Sequence, residues 1–401
     1  MPLLTPQAKR SGTSRIDIPI LTPHGLGGGA QHLRIALVTE YYYPHLGGVC
    51  EHVHYFAREA RSRGHHVDII TSNIPGAELS PHVIRLGRSQ PVYANGSQAR
   101  ITIGLGLRKQ MRDVLRRGRY DIVHVHAPLT PVLPLLAVEE ADCAVVGTFH
   151  TYFDKSVTYT IGRKYFQDRL NRLDAAIAVS DAAIAANERY FDADWIVIPN
   201  GIDVDAFSPD APPPPDIRTD VPSILFLGRF DPRNGLATLI DAFKRVRGRK
   251  RQAQLVVVGG GPLAEHYLRM AGGDPDIKFV GKVLDGRPSY YAHSTMYACP
   301  TTKASFGITL LEAMACATPI VCSDIPGFRD VVQHGREALM VPCGDRDALA
   351  SSLVKLLDDE SLCRQLGDEG RVRSMAYSWP RVADTVLDVY ARLLGYATVA
   401  A

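Results

Sequence analysis

The chain has 401 residues, 46% of them hydrophobic and 22% charged, with a formal net charge of +3. That length exceeds one ordinary domain and predicts about two, and so small a charge argues against a whole-molecule nucleic-acid binder. The seven cysteines stand apart, without CxxC pairs or histidines at metal-ligand spacing, and read as reduced thiols of a cytoplasmic protein lacking structural zinc.

In chain order, residues 1–32 carry Pro, Gly and Ser without a continuous apolar core and read as a flexible tail rather than a signal peptide. A short apolar run at Leu33–Thr39, helical spacing over Glu51–Arg63 and a strand-like run at Gly64–Thr71 predict a βαβ opening. Further strands are expected at Ile122–His126, Cys143–Thr148, Ala176–Val179 and Trp195–Ile198, with helices between them. Four consecutive prolines, Pro212–Pro215, can continue neither a helix nor a sheet interior, so residues 211–220 are expected to form a stiff linker. The pattern then restarts with strand Ser223–Arg229, helix Leu236–Val246 and strands at Gln254–Gly259, Ile277–Gly281, Met296–Cys299 and Ile320–Cys322. A last helix, Arg381–Leu394, follows Pro380 and could belong to either unit. The alternation predicts two doubly wound α/β units, 33–210 and 221–378, followed by 379–401. No segment approaches the roughly 18 apolar residues that span a bilayer, so membrane contact would be peripheral.

In open parallel sheets, ligands bind beyond the carboxyl ends of the strands, and two facing units create one cleft. The motifs fall on strand ends. Gly47 and Gly48, in "YYYPHLGGVCEHV", precede a helix and either cradle an anion with backbone N–H groups or simply turn the chain. The stretch lacks GxGxxG, which argues against a nicotinamide or flavin enzyme. His150 stands at the edge of strand Cys143–Thr148, as a structural histidine or as a cleft group. Arg229 and Arg233 suit a diphosphate, with an unliganded surface pair as the plain alternative. Gly259, in "GGGP", permits close backbone approach. In "TTKASFGITLLEAMACATPIVCSDIPG" a small, polar loop feeds a helix whose apolar pattern holds one carboxylate, Glu312. The run Leu107–Arg119 puts Leu107, Met111, Val114 and Leu115 on one helical face and Arg108, Lys109, Arg112, Arg116 and Arg117 over much of the rest. Such a helix lies on an anionic bilayer, or packs on a core with a solvated charged face.

In this order, "GGVCEHV", "VHVHAP", "GTFHT", "AVSD", "PNGIDVDAF", "LFLGRFDPRNG", "VVVGGGP" and "FGITLLEAMACATPIVCSDIPG" resemble the motifs of glycosyltransferase family 4. Those enzymes have the GT-B fold, two Rossmann-like doubly wound domains facing across a cleft. The resemblance runs from Leu33 to the C-terminus, and "YANGSQAR" and "GTFHTYFDK" make it most similar to the bacterial phosphatidylinositol α-mannosyltransferases. It implies a retaining hexosyltransferase, with GDP-mannose as the favoured nucleotide-sugar donor and a lipid or glycan acceptor of the phosphatidylinositol kind, at the inner membrane face. The acceptor is implied on the first unit and the donor on the second, with the last helix crossing back to the first. For the donor, the resemblance implies Arg229 on the diphosphate beside the Gly47–Gly48 backbone, with Arg233, Asn234 and Gly259 nearby. It further implies Lys282 and Val283 at the base, the Phe306, Gly307 and Ile308 backbone around the sugar and phosphates, and Glu312 on the ribose hydroxyls. Lys303, next to Ala304, is this chain's own candidate for a sugar or phosphate contact. His150 and Arg229 are the implied catalytic groups. Asn95, Ser97, Arg100, Thr151 and Lys155 match acceptor positions, and Arg108, Lys109, Arg112, Arg116 and Arg117 the membrane-docking element. No cofactor, essential metal or nucleic-acid partner is implied. Retention is commonly assigned to same-face attack, consistent with the lack of a hydrolase-like carboxylate pair.

Three positions depart from the family pattern. Ala304 stands eight residues before Glu312, where the family has a second glutamate; Asn234 replaces a lysine, and Leu129 replaces an asparagine of the mannosyltransferases. A lost charged hydrogen bond costs about 1.5–3 kcal/mol. Arg233 and Lys303 are the adjacent charges that could compensate. The competing expectation is a degenerate member that binds nucleotide or glycan without turnover; a GT-B epimerase fits the motif order less well.

Overall fold

The strands of both halves are buried on both faces, which is why they read as continuous apolar runs instead of alternating ones. The computed structural model describes residues 32–395, apart from 46, 78–79, 95–96, 216, 219, 249–251 and 284–285. Of the expected tail, therefore, only His32 is described.

The first half supplies β1 (Arg34–Val38), β2 (His66–Ser72), β3 (Val83–Leu86), β4 (Arg88–Ala94), β5 (Ser97–Ile103), β6 (Ile122–His126), β7 (Ala144–Phe149), β8 (Ala175–Ala178) and β9 (Trp195–Val197). Seven of these form a parallel sheet in the order β3-β2-β1-β6-β7-β8-β9, and β4 and β5 pair as a separate antiparallel hairpin. The second half supplies β10 (Ser223–Arg229), β11 (Gln254–Gly260), β12 (Ile277–Gly281), β13 (Met296–Cys299), β14 (Ile320–Ser323) and β15 (Ala338–Val341). They form a parallel sheet in the order β12-β11-β10-β13-β14-β15. In each sheet the chain steps outward from its first strand and returns on the other side. The switch points are thus β1/β6 and β10/β13, and crevices that take ligands open there at the carboxyl ends.

The first helix spans Gly48–Ser62 and buries Cys50, His52, Val53, Phe56, Ala57 and Ala60. It begins at Gly48, earlier than the apolar spacing alone predicts. The last helix, Trp379–Leu393, packs on it and belongs to the first lobe. Tyr55 stacks on Trp379 at 5.6 Å, and Tyr390 donates to or accepts from His124 Nδ1 at 2.6 Å. Trp379 and Tyr390 are each almost fully buried, a burial of about 1.5–3 kcal/mol for a large apolar side chain. The two crossings between lobes run side by side: Ile202 N–H donates to Tyr377 O, and Trp379 N–H donates to Ile202 O. All seven cysteines are free thiols. No helix among the described residues is long and apolar enough to cross a membrane.

Candidate active site

At the carboxyl edge of the first sheet, the alternation in "IVHVH" turns His124 and His126 of β6 to one side, and His150 follows the end of β7. His52 reaches the same place from the Gly48–Ser62 helix, with ring centroids 4.9 Å from His150 and 5.2 Å from His126. His126 stacks on His150 at 5.2 Å, and their Nδ1 and Nε2 atoms share a 3.0 Å hydrogen bond. His52 Nδ1 bonds Asn200 Oδ1 at 2.9 Å, while His124 bridges Tyr390 and Thr148. Burial pushes His52 down to about 4 and His124 to about 3, the His52 ring adding to the latter. Burial, then the neighbouring imidazoles, holds His126 and His150 well below the usual range. All four rings are therefore neutral near pH 7, and His150 can offer a polar N–H or lone pair but no full charge.

The facing edge of the second sheet is ionic. Arg229 ends β10 with its side chain exposed. Burial raises the Tyr41 phenol and lowers the His45 imidazole, and the Arg229 charge acts on both. Its guanidinium thus faces Tyr41 and His45 of the first lobe, together with Arg100, which also acts on His45. At Gly47 and Gly48 a side-chain carbon would meet nothing within 4 Å, so the turn is open to an approaching group. Asn234 donates to Arg229 O at 2.8 Å and braces the arginine's backbone where the family's lysine would bring charge. Arg233 lies 3.5 Å from Asp231. Gly259 is structural: with φ 143° it passes so near β10 that a Cβ would sit 1.9 Å from Gly228 O. The Lys282 stem lies over Gly260, and Val283 packs partly buried against the core.

Beyond β13, the loop reaches Gly307, whose φ of 134° opens the Ile308–Ala315 helix. Phe306 is buried, so what this loop can offer a ligand is chiefly backbone. Lys303 pairs with Asp154 of the first lobe, and Ser180 Oγ donates to Ser305 O across the same interface. Glu312 is 1% exposed. Its Oε1 meets Arg287 Nη1 at 2.8 Å, and its Oε2 accepts from the Tyr291 hydroxyl at 2.8 Å. The same guanidinium reaches Glu51 of the first lobe at 2.7 Å and lies 5.6 Å from the Phe207 ring. Burial pushes Glu312 up to about 7, with Arg287 opposing and Glu51 reinforcing the rise. Sequence reasoning missed Arg287, Tyr291 and Glu51. Arg287 and Pro288 at a helix start were the one local signal, since Glu51 lies 236 residues away.

The other expected residues divide. Arg100 donates to Ser89 Oγ at 2.7 Å within the β4–β5 hairpin, while Thr151, which follows His150 in the chain, and Lys155 are exposed. Asn95 and the side chain of Ser97 lie outside the described residues. Leu129 is buried. On the basic helix, observed at Leu107–Gly118, Leu107, Met111, Val114 and Leu115 are buried as the spacing predicts. Arg108 pairs with Glu139 and Glu140, and Arg112 with Glu140, so part of the expected positive face is neutralised from within. Lys109, Arg116 and Arg117 remain exposed, and Leu105, just before the helix, is 95% exposed.

Between the lobes, Glu51, Tyr55, Phe207, Ile308, Glu312 and Trp379 line a cavity of only 10 Å³, about one water's worth. A nucleotide can reach Glu312 only if Arg287 moves or the lobes part. A larger cavity of 410 Å³ lies under the proline linker at Ser223, the amino end of β10 and the wrong end for the switch point. Among the described residues no group of three or more His, Cys, Asp or Glu is placed to hold a metal ion.

Residues 46–206 match the family described as Glycosyltransferase Family 4, and residues 221–359 match Glycosyl transferases group 1. A phosphatidyl-myo-inositol mannosyltransferase of Mycobacterium tuberculosis is 35% identical over 376 residues, covering 90% of this chain and 98% of that protein. A GDP-mannose-dependent alpha-(1-6)-phosphatidylinositol monomannoside mannosyltransferase of the same species is 31% identical over 208 residues, 48% of this chain and 54% of that protein. Anabaena HepE, solved in complex with UDP and glucose, shares the fold with a TM-score of 0.71 at 18% identity, covering 90% of this chain and 100% of that one. With both lobes and nearly the whole length of a curated relative matched, the chain belongs to glycosyltransferase family 4 and is a glycosyltransferase of the GT-B fold.

Proposed function

We propose that the protein transfers mannose from GDP-mannose, with retention, to a phosphatidylinositol-like lipid at the cytoplasmic face of a membrane. The observation that carries this reading is the cationic strand end, Arg229, whose charge acts on Tyr41 and His45 of the first lobe beside the open backbone of Gly47 and Gly48. The relatives' names supply the sugar and the acceptor.

In the proposed reaction Arg229 and the amides at the two helix starts, Gly48 and Ile308, hold the donor diphosphate. They draw off charge as the bond between the anomeric carbon and the phosphate oxygen breaks. The acceptor hydroxyl oxygen bonds to that carbon from the same face, and its proton passes to the departing phosphate oxygen. His150, neutral and stacked on His126, supports the sugar as charge develops. Glu312 accepts from the ribose hydroxyls. Arg100, Thr151 and Lys155 hold the inositol phosphate, while Lys109, Arg116 and Arg117 meet anionic lipid. No resident metal is proposed, because the diphosphate's charge is met by arginine and amides; EDTA is expected to leave the rate unchanged.

The test incubates the protein with GDP-mannose, UDP-glucose and other donors over phosphatidylinositol vesicles. The expected result is a mannosyl lipid of retained anomeric configuration. Nucleotide binding without transfer from every donor would favour the degenerate reading, for which Ala304 is the supporting observation.

A further inference from the structure

Glu312 is the buried carboxylate on which the ribose reading rests, and the structure shows both of its oxygens already engaged. Arg287, which engages one of them, is shared with a second carboxylate, Glu51, that enters from the opposite lobe. We propose that Arg287 is a positioning residue for the donor's ribose and that Glu51 is its competitor, so that contact between the lobes governs how well Glu312 holds a nucleotide. This inference rests on the nucleotide-sugar reading and deepens it.

The geometry sets the direction of each effect. An ionised carboxylate accepts on both oxygens and suits two ribose hydroxyls, whereas protonation turns one of those oxygens into a donor and weakens the other as an acceptor. Arg287 supplies the full positive charge in contact with it, and Tyr291 fixes the other oxygen. Glu51 pulls the same guanidinium away and adds a like charge nearby, so it works against the ionised form. Other groups facing the carboxylate are Tyr297 of β13 and Cys316 at the end of its own helix, both of which feel its charge. Arg371 acts in turn on Cys316, and Asp203 across the small cavity is engaged by Arg58. None of these bridges to Glu312 directly as Arg287 does. With the lobes parted, Arg287 serves Glu312 alone and the 10 Å³ gap widens, so the parted form is the one that takes up donor.

The test measures GDP affinity by calorimetry from pH 5.5 to 8.5 for the full chain and for Arg287→Met, Arg287→Lys and Glu51→Gln. Folding moves Glu312 upward, so the site accepts ribose above that midpoint and loses affinity as pH falls through it. Arg287→Met should bind GDP about tenfold or more weakly at pH 7, the worth of a charge-assisted contact, and recover only at higher pH. Arg287→Lys should titrate near the parent protein. Glu51→Gln should shift the midpoint the opposite way, to lower pH, and bind severalfold more tightly near pH 6.5. Should Arg287→Met fail to fold, the sign of the Glu51→Gln shift decides. Unchanged midpoints and affinities in the variants, with GDP bound by the parent protein, overturn this inference alone. No GDP binding by the parent protein at any pH overturns it together with the nucleotide-sugar reading.

Discussion

The two lobes present the same end of the same kind of sheet and fill it with opposite chemistry. The first places His52, His124, His126 and His150 in mutual contact and keeps them uncharged by burial. The second places the exposed Arg229 and the Arg287–Glu312 ion pair at its edge, with burial pushing the carboxyl upward against the arginine. The difference teaches how a shared architecture is divided between partners of unlike polarity. A neutral, polar surface suits a hydroxyl and a sugar ring, whereas fixed cations and amide dipoles suit a diphosphate.

The sharpest way to break this contrast is to remove one member from each side. His150→Ala should lower transfer by about 10²–10⁴-fold, the range for a positioned polar group acting in the transition state, with GDP affinity retained. Undiminished turnover would remove His150 from the chemistry. Arg229→Ala should cost about 10²–10³-fold in kcat/KM and, unlike His150→Ala, also weaken GDP binding. A loss confined to acceptor affinity would place the arginine wrongly.

Acid should separate the lobes next. The folded His52 and His124 take up protons only near 4 and 3, against an ordinary 6.5. Protonation therefore favours the unfolded chain, and stability is fully present above 6.5 and lost as pH falls towards those values. At pH 5 each blocked histidine withdraws about 2 kcal/mol. Thermal melts between pH 7 and 4.5 should show this decline, and His124→Gln should flatten it by about one proton. A melting temperature that does not change over that range would contradict neutral burial.

Smaller effects sharpen the comparison at its margins. Neutralising Arg116 and Arg117 should weaken co-sedimentation with anionic vesicles by about 2 kcal/mol, near 1 kcal/mol per surface cation. Neutralising Arg108 and Arg112, already paired with Glu139 and Glu140, should weaken it less. Equal losses would make the internal pairing irrelevant. Lys303→Ala breaks an exposed interlobe pair and should leave the melting temperature nearly unchanged, the smallest effect of the set.

What the sequence disclosed followed pattern strength. The long apolar runs that became β1, β6, β10 and β11 were legible because a strand covered on both faces leaves little choice of residue. β3, with the four residues "VIRL", and β15, with "ALMV", were not, since short edge strands carry too few residues for a period to show. The β4–β5 hairpin was hidden by Pro91, which a strand tolerates only at an edge. At the site, Arg229 and Glu312 were visible as charges in otherwise apolar or glycine-rich stretches. The imidazole stack was half visible, in the alternation of "VHVH", but His52 joins it from a helix. The link from Arg287 to Glu51 left no local trace, because an ion pair between lobes has no sequence spacing to obey. Asn234 and Ala304 read as missing charges; the structure gives Asn234 a bracing role instead, and beside Ala304 the neighbouring Lys303 pairs with Asp154.

The most direct test is a crystal structure with GDP bound. The nucleotide should lie between the lobes, with its diphosphate at Arg229 and the ribose hydroxyls within about 3 Å of Glu312, on a carboxylate still held by Tyr291. GDP found under the proline linker, or anywhere that leaves Arg229 and Glu312 untouched, would contradict the assignment of the second lobe as the donor side.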